Sequence, residues 1–333
     1  MPRPFVTIMI PCRNEEKYIG ICLDSIIAQD YPSERMEILV ADGMSTDNTR
    51  KVLEAYTARD ARVRWFENLG KSQTCALNLL IGKSAGEIIV RMDAHSSVPE
   101  NYVSNCVKYL IEYGVDNVGG VWKTLPGADT ATAQAIALAL TSLFGVGGSR
   151  FRLGVKNPTM VETVPFGCYR REIFSRIGLF NEKLVRNEDN EFNTRLIKAG
   201  GKILLHPNIK SSYRARPDLW SVARQHFLNG FWCTYGLRFS ERPFFLRHLV
   251  PMGFVCFLVF SLTFGIWMRV FLCAGLAVAG FYICCVIGAS SMLAFRHRVG
   301  YFLYFLVIFP LLHFSYGVGS LCGVIALLTP GKK

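Results

Sequence analysis

Acidic side chains are missing from the C-terminal part of this 333-residue chain: all 25 Asp and Glu lie at or before Glu241. Beyond Arg247 the only charged residues are Arg269, Arg296, Arg298, Lys332 and Lys333. Buried helices of a large soluble core would still need charged faces toward water, and here those faces do not exist. The uncharged stretches 249–268, 270–295 and 299–331 run 20, 26 and 33 residues, and about 20 apolar residues cross a bilayer. Three membrane spans are therefore expected, at about 249–268, 270–293 and 301–328, with two spans plus a re-entrant segment as the alternative.

Other absences narrow the reading further. Eleven cysteines are present, but no C-x-x-C occurs, and the one close pair, Cys284 and Cys285, falls inside an expected span. Scattered thiols of this kind are usually small apolar fillers, so neither a zinc site nor a disulfide framework is expected. No G-x-G-x-x-G follows the first apolar run and no G-x-x-x-x-G-K-[ST] occurs, which argues against a dinucleotide or P-loop site. The opening "FVTIMIPC" is too short and too soon followed by "RNEE" for a secretory signal. Residues 1–247 are accordingly expected on the cytoplasmic face of a multi-pass plasma (inner) membrane protein. Arg296, His297 and Arg298 would return to that face by the positive-inside rule. Lys332 and Lys333 would then end outside, which leaves the orientation of the last span open.

The net charge of +12 does not mark a nucleic-acid binder. Residues 1–247 hold 32 Lys and Arg against 25 acids. The basic excess concentrates in residues 186–247, with eleven Lys and Arg against five Asp and Glu. That position, just before the first expected span, suits an anionic leaflet or a phosphorylated lipid; a solvated basic face is the plainer alternative.

What is present is strand–helix alternation. "FVTIMIPC", "MEILVADG", "VRWFEN" and "EIIVRMDA" read as buried strands, separated by the helical patterns "KYIGICLDSIIAQ", "STDNTRKVLEAYTARD" and "SQTCALNLLIGKSAG". The order predicts an α/β fold, a mostly parallel sheet with helices on both faces. In such sheets ligands lie off the carboxyl ends of the strands. Those ends carry Pro11, Arg13, Asn14 and Glu15; Asp42; Lys71; and Asp93 and His95 of "RMDAH". Any one of them would pass as ordinary loop polarity, but together they suit a nucleoside diphosphate. Asp42 would accept from a base N–H. Lys71 and Arg91 would neutralise phosphate charge, and Asp93 would clamp diphosphate oxygens through a hard cation.

A second cluster opens an amphipathic helix in "LVRNEDNEFNTRLIKAGGKI". Glu188, Asp189 and Glu191 crowd its first turn, where helix-dipole complementarity places acids routinely. Set among Arg186 and Arg195, one of them is also a candidate general base. The glycine-rich, basic stretch 145–160 is expected to be a mobile loop that closes over the donor or the lipid, with plain disorder as the alternative. "DLWSVARQHFLNGFWCTYGLRF" reads as an amphipathic helix at the membrane interface.

"TIMIPCRNEEKYIGICLDSI", "EILVADGMSTDNT", "GKSQTCALN", "IIVRMDAH" and "IGLFNEKLVRNEDNEFNTRLIKAGGKI" together resemble the successive motifs of family 2 glycosyltransferases with the GT-A fold. The resemblance covers residues 5–240. The "DAH" and "RNEDNEFN" forms and the expected spans most resemble succinoglycan-type exopolysaccharide enzymes. The resemblance implies that residues 11–15, Asp42 and Lys71 hold the nucleoside. It implies that Asp93 is the first member of the metal-binding DxD, with His95 in place of the second Asp; His accepts Mn²⁺ and, less readily, Mg²⁺. It makes Asp189 the catalytic base of an inverting transfer, with no covalent carboxylate intermediate. "VETVPFGCYRREIF" resembles the acceptor-side strand, where Gly167 would admit the acceptor. Glu188, Arg214, Gln225 and Trp232 would flank it. The Q-x-x-R-W of polymer-extruding synthases is absent, "RQHFLNGFW" being the nearest segment.

The expected organisation is a catalytic domain over 1–217, an interfacial segment over 218–247 and a membrane domain over 248–333. The expected activity is transfer of a hexose, with UDP-glucose as donor, to a polyprenyl-diphosphate-linked oligosaccharide, alongside polysaccharide-assembly partners. Two rivals stand beside it: transfer to the lipid phosphate itself, and a non-catalytic membrane scaffold.

Overall fold

The computed structural model describes residues 3–240 and 246–329; Lys332 and Lys333 lie outside them. Four apolar runs become parallel strands: β1 (Val6–Cys12), β2 (Met36–Asp42), β3 (Val63–Glu67) and β4 (Ile88–Arg91). The sheet continues through β5 (Asn117–Leu125), β6 (Thr159–Met160), β7 (Cys168–Arg170) and β8 (Ile203–Arg214) in the order β3-β2-β1-β4-β7-β5-β8-β6. β7 runs antiparallel to both β4 and β5, and β6 antiparallel to β8.

β1, β2 and β4 are buried along their length because both of their faces are covered. Alternate side chains of a strand point to opposite sides. Ile8, Ile10, Ile38, Val40 and Val90 meet α1 (Ile19–Ile27) and α4 (Tyr102–Glu112), through Leu23 and Leu110. Met9, Leu39 and Ile89, one residue out of phase, meet α3 (Gln73–Lys83), α8 (Glu172–Ile177) and α9 (Glu188–Lys198), through Leu77, Phe174 and Phe192. Helix α2 (Thr49–Arg59) begins where Asp47 accepts from the Thr49 N–H at 3.0 Å. Ser72 caps α3 by accepting from Cys75 N.

The chain forms two compact units. One comprises residues 1–123 and 150–213, the other 124–149 and 214–333. The second unit holds α5 (Ala131–Ala139), α6 (Leu143–Val146), α10 (Leu219–Tyr235), α11 (Val250–Phe264), α12 (Arg269–Arg296) and α13 (Phe302–Leu328). The remaining short helix, α7 (Arg150–Leu153), opens the second segment of the first unit.

Among the described residues, two helices are long and apolar enough to cross a membrane, Arg269–Arg296 and Val299–Leu328. The span expected at 249–268 is not one of them. Its helix has 15 residues, and at 1.5 Å per residue that reaches about 22 Å, short of the ~30 Å hydrocarbon core. Helix α10 packs closely on the last helix at glycines. A Cβ on Gly319 or Gly323 would strike the Phe227 or Phe231 carbonyl, and one on Gly230 would strike the Tyr316 carbonyl. Thr234 Oγ1 donates to the Ser320 carbonyl at 2.7 Å.

Candidate active site

The loops that leave β1 and β2 are tied to each other. Asn14 N donates to Ser45 Oγ at 2.8 Å, and Asn14 Oδ1 accepts from Thr46 N at 2.8 Å. Asn14, Met44 and Lys71 hold left-handed φ of 55°, 60° and 55°, conformations that non-glycine residues keep only where their surroundings enforce them. Off these strand ends opens a cleft of about 240 Å³, lined by Pro11, Arg13, Glu15, Lys71, Asp93 and His95, together with Asn68, Ser72 and Gln73.

Several expected residues thus converge on one cleft, but not all. Asp42 is fully buried and does not line it. Its carboxylate accepts from Arg50 Nε at 2.7 Å and from Ser45 N at 3.2 Å. Asn14 serves the loop–loop tie. Gly167 is buried, and a Cβ there would come within 2.5 Å of the Tyr169 ring. Its small size therefore answers to Tyr169 packing rather than to an incoming acceptor. Arg214 ends β8, and Gln225 and Trp232 lie on α10; none of the three lines the cleft.

Arg91 differs most from expectation. Its guanidinium is buried, and instead of lining the cleft it serves three carboxylates. Nη2 donates to Asp93 Oδ1 at 3.2 Å and to Glu188 Oε1 at 3.3 Å, and Nη1 donates to Asp189 Oδ2. Burial works against the Arg91 charge, but Asp189, Asp93 and Glu188 together outweigh it and keep the guanidinium protonated. One cation against three carboxylates leaves the cluster anionic. Burial accordingly raises the Glu188 carboxyl above its ordinary range; the Asp189 charge adds to this and Arg91 opposes it. Burial raises Asp189 as well, against the pull of Arg91.

Asp189 stands in the first turn of α9, behind Asn187 in a left-handed conformation (φ 63°). Its side chain keeps 27% exposure, so it is not sealed in the apolar interior. Oδ2 is held by Arg91; the other oxygen, Oδ1, is buried and has no hydrogen-bond partner. A carboxylate fixed on one side and unengaged on the other, with a raised proton affinity, has what a general base requires.

Asp93 also accepts from Gln73 Nε2 at 3.4 Å, and His95 Nδ1 lies 3.0 Å from Glu15 Oε1. Among the described residues no three His, Cys, Asp or Glu side chains are grouped so as to hold a metal by themselves. That donor set fits a cation shared with a diphosphate, since Mg²⁺ sites commonly use one or two carboxylates plus substrate phosphates. Gln73, Ser72 and Arg50 escape the sequence reading. Gln73 and Ser72 sit inside "GKSQTCALN", a polar helix start directly after a strand end, which was the available signal.

Residues 7–178 match the family described as Glycosyl transferase family 2. Over 275 residues the chain is 30% identical to the dolichyl N-acetyl-alpha-D-glucosaminyl phosphate 3-beta-D-2,3-diacetamido-2,3-dideoxy-beta-D-glucuronosyltransferase of Methanococcus voltae, covering 81% of this chain and 85% of that one. Over 248 residues it is 29% identical to the succinoglycan biosynthesis protein ExoA of Rhizobium meliloti, covering 74% and 72%. Among solved structures, the mannosyltransferase PcManGT of Pyrobaculum calidifontis, in complex with GDP-Man and Mn²⁺, matches with a TM-score of 0.62 at 19% identity over 96% of this chain and 88% of that one.

Proposed function

Because the chain belongs to glycosyl transferase family 2 and has the GT-A α/β fold, we propose that it moves one hexose from a nucleotide sugar to a polyprenyl-diphosphate-linked saccharide at the cytoplasmic face of a membrane, inverting the anomeric centre. The observation that carries this reading is the Arg91 bridge, which joins the cleft carboxylate Asp93 to Asp189. Donor and acceptor chemistry need those two groups side by side.

In this reading the cleft takes the nucleoside diphosphate, with Lys71 and Arg13 facing its charge. Asp42 acts through Ser45, holding the turn against which the base would lie. The acceptor hydroxyl gives its proton to the Asp189 carboxylate while its oxygen bonds to the anomeric carbon. The bond from that carbon to the diphosphate oxygen breaks, and the electron pair leaves with the nucleoside diphosphate. Asp93 and His95 would hold a divalent cation, Mn²⁺ or Mg²⁺, which when bound draws charge off the departing diphosphate. The two long apolar helices support membrane attachment, and the Methanococcus voltae relative, whose name specifies a dolichyl phosphate-linked substrate, supports a lipid-borne acceptor. UDP-glucose remains the donor we propose.

Membranes containing the protein should be incubated with labelled UDP-, GDP- and dTDP-sugars, and the lipids then extracted. Lipid-phase label that mild acid releases as an oligosaccharide, its intersugar bond intact, supports the reading. Label released as free sugar would instead mean transfer to the lipid phosphate. No incorporation from any donor would overturn the proposal.

A further inference from the structure

A second arginine has its guanidinium withdrawn from water, with the opposite surroundings to Arg91. Arg152, on α7, lies 4.6 Å from the Trp122 ring centroid, 4.8 Å from that of Tyr213 and 5.7 Å from that of Phe151. Trp122 and Tyr213 stack on each other at 4.4 Å, and Phe151 meets Trp122 edge-on at 5.0 Å. No carboxylate pairs with Arg152 among the described residues. Its Nη1 is buried without a hydrogen-bond partner, and so is the indole Nε1 of Trp122. Burial pulls the Arg152 proton affinity down, with Tyr213 alone opposing it.

Ring faces attract a cation without accepting a guanidinium's in-plane hydrogen bonds, and the Tyr213 hydroxyl, which does interact with Arg152, can serve only part of its five donors. Arginine keeps its charge in proteins, so these donors call for an oxyanion. The cluster also borders the site. Trp122 packs on Phe166 at 5.6 Å, and the Gly167 carbonyl accepts from Arg91 N at 3.0 Å. Ser212, next to Tyr213, donates from its N–H to the carbonyl of Ser97, in the loop that carries Asp93 and His95. All of these residues belong to the first compact unit.

We propose that Arg152, with the indole N–H of Trp122, is the seat for a phosphate oxyanion of the acceptor, the group through which its sugar is joined to the lipid. The inference rests on the acceptor being lipid-linked, as proposed above, and deepens it. The aromatic rings then serve as walls for the first sugar or the first isoprene.

The test uses full-length protein in detergent, with farnesyl phosphate, farnesol and inorganic phosphate as probes and calorimetry as readout. Wild type is expected to bind farnesyl phosphate at least tenfold more tightly than either of the other probes. Arg152→Gln should lose at least tenfold in that affinity, while Arg152→Lys keeps part of it. An unfolding temperature within a few degrees of wild type shows that the variants are folded. Equal farnesyl phosphate affinity in wild type and a folded Arg152→Gln overturns the site, as does no binding by wild type. Equal affinity for inorganic and farnesyl phosphate overturns the lipid-borne source. Because the readout is binding, a failure of the transferase reading shows separately, as absent sugar incorporation.

Discussion

Arg91 and Asp189 lie 98 residues apart in the chain and are joined by a hydrogen-bonded ion pair, with Asp93 on the other arm of the same guanidinium. The planar fork of arginine can serve several carboxylates at once; a lysine ammonium is a single flexible point charge. Arg91→Lys should therefore keep the charge and lose the geometry. Loss of charge-assisted hydrogen bonds of about 1.5–3 kcal/mol predicts a fall in kcat of roughly ten- to a hundredfold. Arg91→Met strands three carboxylates and should cost about 3–5 kcal/mol of stability. Transfer kinetics and thermal unfolding of the two variants separate the effects, and an active Arg91→Met enzyme would refute the bridging role.

Asp189→Asn preserves shape and removes the proton acceptor. General-base catalysis contributes about 10²–10⁴-fold, so kcat should fall by that order while the affinity for nucleotide with Mn²⁺ stays near wild type. Unchanged kcat would take the base role from Asp189.

The raised carboxyls make activity and stability move in opposite directions with pH. Glu188 and Asp189 have folded-state proton affinities above their unfolded values. Their contribution to stability is complete below the ordinary carboxylate range and is lost as pH rises through the raised values. The base, by contrast, works only when deprotonated, so kcat/KM rises over the same window. Melting temperature and kcat/KM recorded across that range should cross. In Glu188→Gln the stability slope should flatten, and a slope equal to wild type would show that Glu188 is not its source.

The elements that could be read from sequence are those whose cause is local. β1, β2 and β4 are buried on both faces because helices cover both, and a run such as "VTIMIPC" carries that signal in seven residues. Asp93 and Lys71 are legible because they lie within a few residues of strand ends. The Arg91 bridge is not. β7, which separates β4 from β5, is three residues long and has no periodicity. Nothing near Arg91 announces that helix α9 will lie against it. Gly167 illustrates the converse, since a glycine after "PF" looks like an opening until the Tyr169 ring is seen to fill the space. The short first apolar helix has a related cause. Charge counting measures the uncharged stretch, whereas the helix itself stops at Phe264, before the turn through Gly265 and Trp267.

Chelation should separate the metal from the base. EDTA is expected to abolish transfer, and added Mn²⁺ to restore it. Asp93→Asn should weaken Mn²⁺ binding in the presence of UDP, followed by electron paramagnetic resonance, more than His95→Gln does. A carboxylate binds a hard cation by charge, whereas the imidazole here also serves Glu15. Full activity in EDTA would rule out the cation.

The last prediction concerns the helices that carry the apolar segments. Helices α10 and α13 approach so closely that Gly230, Gly319 and Gly323 each have no room for a Cβ, the obstacle being a backbone carbonyl rather than a side chain that could turn aside. Small residues at helix crossings allow this approach in membranes, where apolar burial alone does not drive helices together. Gly319→Val should therefore force the pair apart and destabilise the protein by about 1–3 kcal/mol or more, as overpacking does. Gly280→Val on α12, where a Cβ would meet nothing within 4 Å, should be tolerated and even favour the helix. Thermal unfolding of both variants in the same detergent checks the contrast, and equal stability would mean that the α10–α13 contact does not hold the protein together.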